Sequence, residues 1–159
     1  MKFSIETQSF YADGLNFGET MPDDAVELTA EQELSFYQAV NNGCYIYQNS
    51  DGLKASEPRP DIYHSWDDNS ASWIMTSEAT ARKNLDIQSA AMTDKQQRID
   101  ATNTYINSKQ WQGKAALGRL KGDELAQYNL WLDYLDALEA VDTSSAPDIG
   151  WPDPPVVQA

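Results

Sequence analysis

The sequence predicts an α+β chain: a small N-terminal β-rich domain with one short helix (residues 1–76), followed by a C-terminal helical region (residues 77–159) ending in an extended Pro-rich tail. Three observations carry this expectation. Up to Met75, apolar residues alternate in short runs separated by Gly, Pro, Asn and Asp, which marks strands and turns. From Glu78 to Trp111 neither Pro nor Gly occurs, which favours uninterrupted helix. After Val141, Pro147, Pro152, Pro154 and Pro155 favour extended backbone.

Taken in order, Lys2 to Tyr11 begins with alternation, Phe3 and Ile5 opposite Ser4 and Glu6, and reads as a strand. Asp13-Gly14 signals a turn, Leu15-Asn16-Phe17 a short returning strand, and Ala25 to Leu28 an extended entry to a helix. Thr29 with Gln32 forms a Thr-x-x-Gln capping box, with Leu28 as the staple residue. The helix that follows carries Leu34, Tyr37 and Val40 on one face with Phe36 beside them, and Asn42-Gly43 ends it. Cys44 to Gln48 and Leu53 to Ser56 are the arms of a hairpin turning at Asn49–Gly52. Beyond Pro58-Arg59-Pro60, two short strands place Trp66 across from Trp73.

The second half reads differently. Glu78–Trp111 is one long helix, or two with a break at the N-cap-like pair Thr93-Asp94. Leu85, Met92, Ile99 and Ile106 recur every seven residues, but the second seam falls on Ser89, Gln96 and Asn103, too polar for a self-sufficient coiled coil. This helix is therefore expected to lay a thin stripe, flanked by Ala81, Ala91 and Tyr105, against a second helix, Leu125–Val141. There, Trp131, Tyr134, Leu138 and their neighbours sweep round more than half the circumference. A surface helix needs an apolar stripe of only roughly 100°, so this one requires cover on most sides, from the chain itself or from another molecule. Thr143, Ser144 and Ser145 favour local side-chain hydrogen bonds over helix, and Pro147 drives Ala146 out of the α region. Trp151 is the one large apolar anchor of the tail.

Charge and composition exclude several function classes. The formal net charge is −14. Residues 1–76 hold thirteen acidic and three basic side chains, a net of −10, and residues 77–159 hold twelve and eight, a net of −4. Such a surface is repelled by phosphate backbones and anionic headgroups, so neither nucleic acid nor membrane is an expected partner. A single cysteine, Cys44, rules out an internal disulfide and zinc ribbons. Met1-Lys2 is not followed by the apolar core of a signal peptide, so a cytosolic protein is expected.

Reactive constellations are missing. His64, the sole histidine, lies among Asp61, Asp67 and Asp68 and reads as a turn residue; a hard-cation site on Asp67, Asp68 and Asn69 is the competing reading. Cys44 lacks the basic neighbour that a nucleophilic thiolate requires. Asp23/Asp24 and Asp67/Asp68 read as solvated turns rather than a general acid/base pair. No enzyme, cofactor or metal is expected. Lys109, Lys114, Arg119 and Lys121 form a basic cluster with no acid between Ala101 and Gly122, either a mixed solvated face or a docking surface for an acidic partner or for the chain's own acidic half. The five Trp and eight Tyr exceed what a minimal core needs, and both types are favoured at interfaces.

The stretch LWLDYLDALEAVDTSSAPDIGWP (Leu130–Pro152) resembles the C-terminal signature of the bacteriophage tail fibre assembly (Tfa) family. Val141, Asp142, Ala146, Pro147, Asp148, Ile149, Trp151 and Pro152 stand where that signature wants them, and Ser145 replaces an expected Thr. FYADGLNF, MPDDAVELTAEQ and the hairpin after Asn42-Gly43 add a looser similarity. The resemblance implies a chaperone, made in the host bacterial cytoplasm, that binds the C-terminal tip of a phage or prophage tail fibre subunit and promotes its folding and trimerisation, in some members staying on the fibre tip. Of the candidate partner-binding residues Trp131, Tyr134, Leu138, Asp142, Pro147, Asp148, Ile149 and Trp151, the set Trp131/Tyr134/Trp151 reads equally as a core that folds the tail back onto the helix or as a surface that holds a partner chain. The competing reading is a virion tip adhesin that contacts the host receptor. Self-association into a homo-oligomer stays open.

Overall fold

In the computed structural model, which describes residues 1–156, the chain divides between Thr80 and Ala81 into two units. The first is built round Phe3, whose side chain is fully buried. Strand β1 (Lys2–Ser4) pairs antiparallel with β2 (Ser9–Tyr11) and with β3 (Val26–Glu27), so that Phe3 lies opposite Phe10 on one side and Val26 on the other. Lys2 to Tyr11 is thus a hairpin rather than one strand, and Leu15-Asn16-Phe17 forms no strand. Gln8, at φ 50°, turns the chain through the left-handed region. Its amide donates to the Ile5 and Ile46 carbonyls and accepts from the Ile46 N–H, each at 2.8 Å.

Helix α1 (Ala30–Asn41) starts with both bonds of the Thr29/Gln32 capping box in place. Its buried face differs from the expected one. Phe36 is buried, with Ala39 and Val40 packed behind it, whereas Leu34 and Tyr37 are 63% and 60% exposed. The core of this unit, Phe3, Leu28, Phe36 and Ile46, takes the i, i+4 pair Phe36/Val40 and leaves the neighbouring i, i+3 pair outside. Strands β4 (Cys44–Asn49) and β5 (Gly52–Pro58) form the next hairpin, and β6 (Ser65–Asp67) and β7 (Ser72–Ile74) a third small sheet with Trp66 opposite Trp73. The two indoles meet edge to face at 5.4 Å, and the Tyr45 ring stacks on Trp66 at 5.0 Å.

Helix α2 (Ser77–Ser108) takes the first of the two readings, one long helix with no break at Thr93-Asp94. Thr93 bonds back to the Ser89 carbonyl and Asp94 pairs with Arg98 one turn on, both inside the helix. Short helix α3 (Trp111–Ala116) and helix α4 (Gly122–Glu139) follow. The second core joins Ile106, Trp111, Leu120, Trp131, Tyr134 and Leu138, with Ile99, Tyr105 and Trp151 packed against it. The seven-residue column of α2 is divided: Ile99 and Ile106 reach this core, while Leu85 and Met92 are exposed.

The expected fold class needs correction. The chain is mixed α/β, helices dominate its C-terminal part, and they do not lead into an extended Pro-rich tail. The physical reason is local closure after α4. A 3-10 turn at Thr143–Ser145 is capped by Asp142, the Asp148 N–H bonds the Ser145 carbonyl and the Ile149 N–H the Pro147 carbonyl, both at 3.0 Å, and Trp151 folds onto the helical core. The prolines terminate hydrogen-bonding patterns here without imposing one extended rod.

Candidate partner-binding surface

Two cations of α2 hold the end of α4 and the segment that follows it. A helix leaves its last carbonyls without partners and carries partial negative charge there. Lys95 Nζ donates to the carbonyls of Glu139 at 2.7 Å and Val141 at 2.9 Å, meeting both needs. One turn further along α2, the Arg98 guanidinium lies 4.5 Å from the centroid of the Trp151 ring, within cation–π range. Arg98 Nε donates to Asp94 Oδ1 at 3.0 Å. That carboxylate, with a smaller contribution from Tyr134, raises the guanidinium's affinity for its proton further.

The turn itself is tied by Asp142. Its carboxylate accepts the Ser144 N–H at 2.9 Å, and its carbonyl accepts the Ser145 hydroxyl at 3.0 Å. Hydrogen bonding from Ser144, helped by the charge of Lys95, holds the Asp142 carboxyl below the usual carboxylate range.

The eight residues singled out from the sequence separate into three groups. Trp131, Tyr134 and Leu138 lie in the core of the helical unit, Leu138 with no exposure at all. The Trp131 ring lies 4.2 Å from Tyr105, and its indole N–H has no hydrogen-bond partner among the described residues. Asp142, Pro147 and Asp148 are exposed on the turn. Ile149 and Trp151 are half-buried and, with Val141, Asp142 and Pro152, line an open groove of about 530 Å³ along the end of α4. The fold thus brings Asp142, Ile149 and Trp151 onto one surface, while the three core residues lie on the buried face of α4.

A family model described as Caudovirales tail fibre assembly protein, lambda gpK, matches residues 6–156. The chain belongs to this family. As a tail fibre assembly family member it is 45% identical over 161 residues to the uncharacterized protein YfdK of Escherichia coli (strain K12), covering 99% of this chain and 97% of YfdK. Its identity to the uncharacterized protein YmfS of the same strain is 43% over 155 residues, 98% of this chain and 95% of YmfS. The prophage tail fiber assembly protein homolog TfaE, also from that strain, is 37% identical over 93 residues, 58% of this chain and 44% of TfaE. No solved structure matches the chain.

Sequence reasoning missed Lys95 and Arg98 in this family member. Their i, i+3 spacing puts both on one face of α2, but nothing local ties them to a turn more than forty residues later. Elsewhere, the His64 turn is bound internally: His64 Nδ1 lies 2.6 Å from Asp61 Oδ1, and the Arg59 guanidinium donates to the carbonyls of His64 and Ile62. Asp67 accepts from the N–H and hydroxyl of Ser70, which lower its proton affinity. Among the described residues, no three His, Cys, Asp or Glu side chains gather as a metal-holding group. Burial pushes the Cys44 thiol up, with the Glu57 charge adding to the shift. No helix among the described residues is long and apolar enough to cross a membrane.

Proposed function

We propose that this chain is an assembly chaperone that binds the C-terminal tip of a tail fibre subunit in the bacterial host and promotes its folding and trimerisation. The observation that carries the reading is the built C-terminal turn of a tail fibre assembly family member. The turn is fixed by Lys95, Arg98 and Asp142 and presents Ile149 and Trp151 along a groove. A trimeric β-rich fibre exposes unpaired strand edges and apolar surface until all three chains have met. Covering that surface transiently suppresses wrong pairings and requires no nucleotide.

On this reading Asp142, Pro147, Asp148, Ile149 and Trp151 touch the fibre, and Trp131, Tyr134 and Leu138 support the helix beneath them. The helical domain (residues 77–159) grips the partner, and the acidic domain (residues 1–76) keeps the complex soluble. Some copies stay on the finished fibre.

Co-expression of the fibre subunit with and without this protein tests the reading. More soluble, SDS-resistant fibre trimer is expected in its presence, and Trp151→Ala should remove most of the gain. Equal trimer yields in both cases would reject the chaperone role.

A further inference from the structure

The basic cluster of the sequence acquires a shape in the fold. From Ala101 to Gly122 the chain has no acidic residue, although acids outnumber bases 25 to 11 overall. Where α2 ends, α3 turns and α4 begins, this stretch borders a cleft of about 610 Å³. Buried Ile106 and Trp111 supply its apolar lining, and Leu117, 70% exposed, lines it too. Three charged groups line the cleft. Lys114 is neutralised by its ion pair with Glu124, while Arg119 forms no ion pair among the described residues. Lys121 stands two residues further on, and the Lys109 ammonium sits 5.1 Å from the Tyr105 ring centroid.

We propose that this cleft docks an acidic peptide segment of a partner protein, one that carries an apolar side chain beside its carboxylates. A guanidinium presents a planar fork that matches a carboxylate with two parallel bonds, and Arg119 offers that fork uncommitted. Leu117, beside the edge of Trp111 that lines the cleft, gives an apolar side chain of the same segment a surface to cover. The negative remainder of the chain repels an acidic segment, so charge selects this place and fixes the orientation of the docked peptide. A nucleic acid fits less well, because its phosphate backbone brings no apolar side chain to cover Leu117. The inference is independent of the fibre reading, since it requires only that some partner present such a segment.

The test uses the full chain labelled with ¹⁵N and a pool of dodecapeptides alternating Asp or Glu with Leu, Phe or Trp. The expected result is movement of the Trp111 indole signal and of the Leu117 and Arg119 amide signals. Binding should weaken about tenfold as salt rises from about 0.02 to about 0.5 M, and Arg119→Glu should weaken it by a similar factor. An unchanged Trp131 indole signal in that variant verifies its fold; Arg119→Gln, a milder change, serves if it does not fold. Three results would each overturn the proposal: no shift at Trp111 or Leu117, equal binding of the Asn/Gln counterparts of the peptides, or comparable binding of single-stranded oligothymidylate at the same signals.

Discussion

The two units assemble their cores by different means. In Met1–Thr80, the three-stranded sheet, the β4–β5 hairpin and one helix supply the core of Phe3, Leu28, Phe36 and Ile46. Strands this short bury little apolar surface individually, and side chains bonded to backbone do much of the joining: Gln8 to Ile46, Ser56 to Tyr45, Asp24 to Glu6. From Ala81 on, three helices satisfy most of their own backbone, and the joining is done by rings and aliphatic groups, Tyr105 on Trp131 and Ile106 and Leu138 in full burial. The first unit is therefore sensitive to the loss of single polar partners, the second to the loss of volume.

Because two units need not unfold together, a single unfolding free energy is poorly defined, and residue-resolved hydrogen exchange is the measurement that separates them. The largest effect is expected for Leu138→Ala. A cavity at a fully buried leucine should lower protection in the helical unit by about 2–5 kcal/mol and leave amides of β1 and β4 unchanged; a matching loss there would end the distinction drawn above. Gln8→Ala comes next. It strands the Ile46 N–H and two carbonyls, so β4 amides should lose about 1–3 kcal/mol of protection while α4 keeps its own.

Lys95→Met sharpens the comparison within the helical unit. It retains much of the aliphatic length but loses the two carbonyl bonds at the end of α4, and about 1 kcal/mol should disappear from the last turn and from the Ile149–Trp151 segment. The smallest effect concerns acid. Asp24 accepts the Ser4 hydroxyl at 2.6 Å and the Glu6 N–H at 2.8 Å, and these bonds, the hydroxyl foremost, lower its proton affinity in the folded chain. A depressed folded value contributes stability that is present above the ordinary aspartate range, near 4, and is lost as pH falls through the lower folded value. Protection of β1 should thus decline in that acid window, and Asp24→Asn should flatten the decline; parallel curves for parent and variant would refute this role.

What the sequence made legible was whatever depends on near neighbours. The Thr29/Gln32 box closes within one helical turn, and the Trp66–Trp73 pair follows from a short hairpin, so spacing alone places both. The face of α1 was misjudged because Phe36/Val40 and Leu34/Tyr37 have equal claims on helical geometry, and only Phe3 and Ile46, from distant strands, choose between them. Spacing leaves one helix or two open at Thr93-Asp94 for a related reason: both side chains can cap a new helix or bond within the old one, and an apolar column continuing to Ile99 and Ile106 favours the latter. The Pro-rich tail reads as extended because proline spacing is visible in sequence, whereas the Lys95 and Arg98 contacts that gather this end of the chain come from a helix more than forty residues earlier.

Gln8 carries one more implication. A primary amide combines a donor and an acceptor in the arrangement of a backbone peptide group, so this side chain acts as a detached rung bridging the first hairpin turn and β4. Glutamate has nearly the same shape but two acceptors, and would set oxygen against the carbonyls of Ile5 and Ile46 where nitrogen now stands. Isosteric exchange at this position is accordingly the least conservative change the site can suffer.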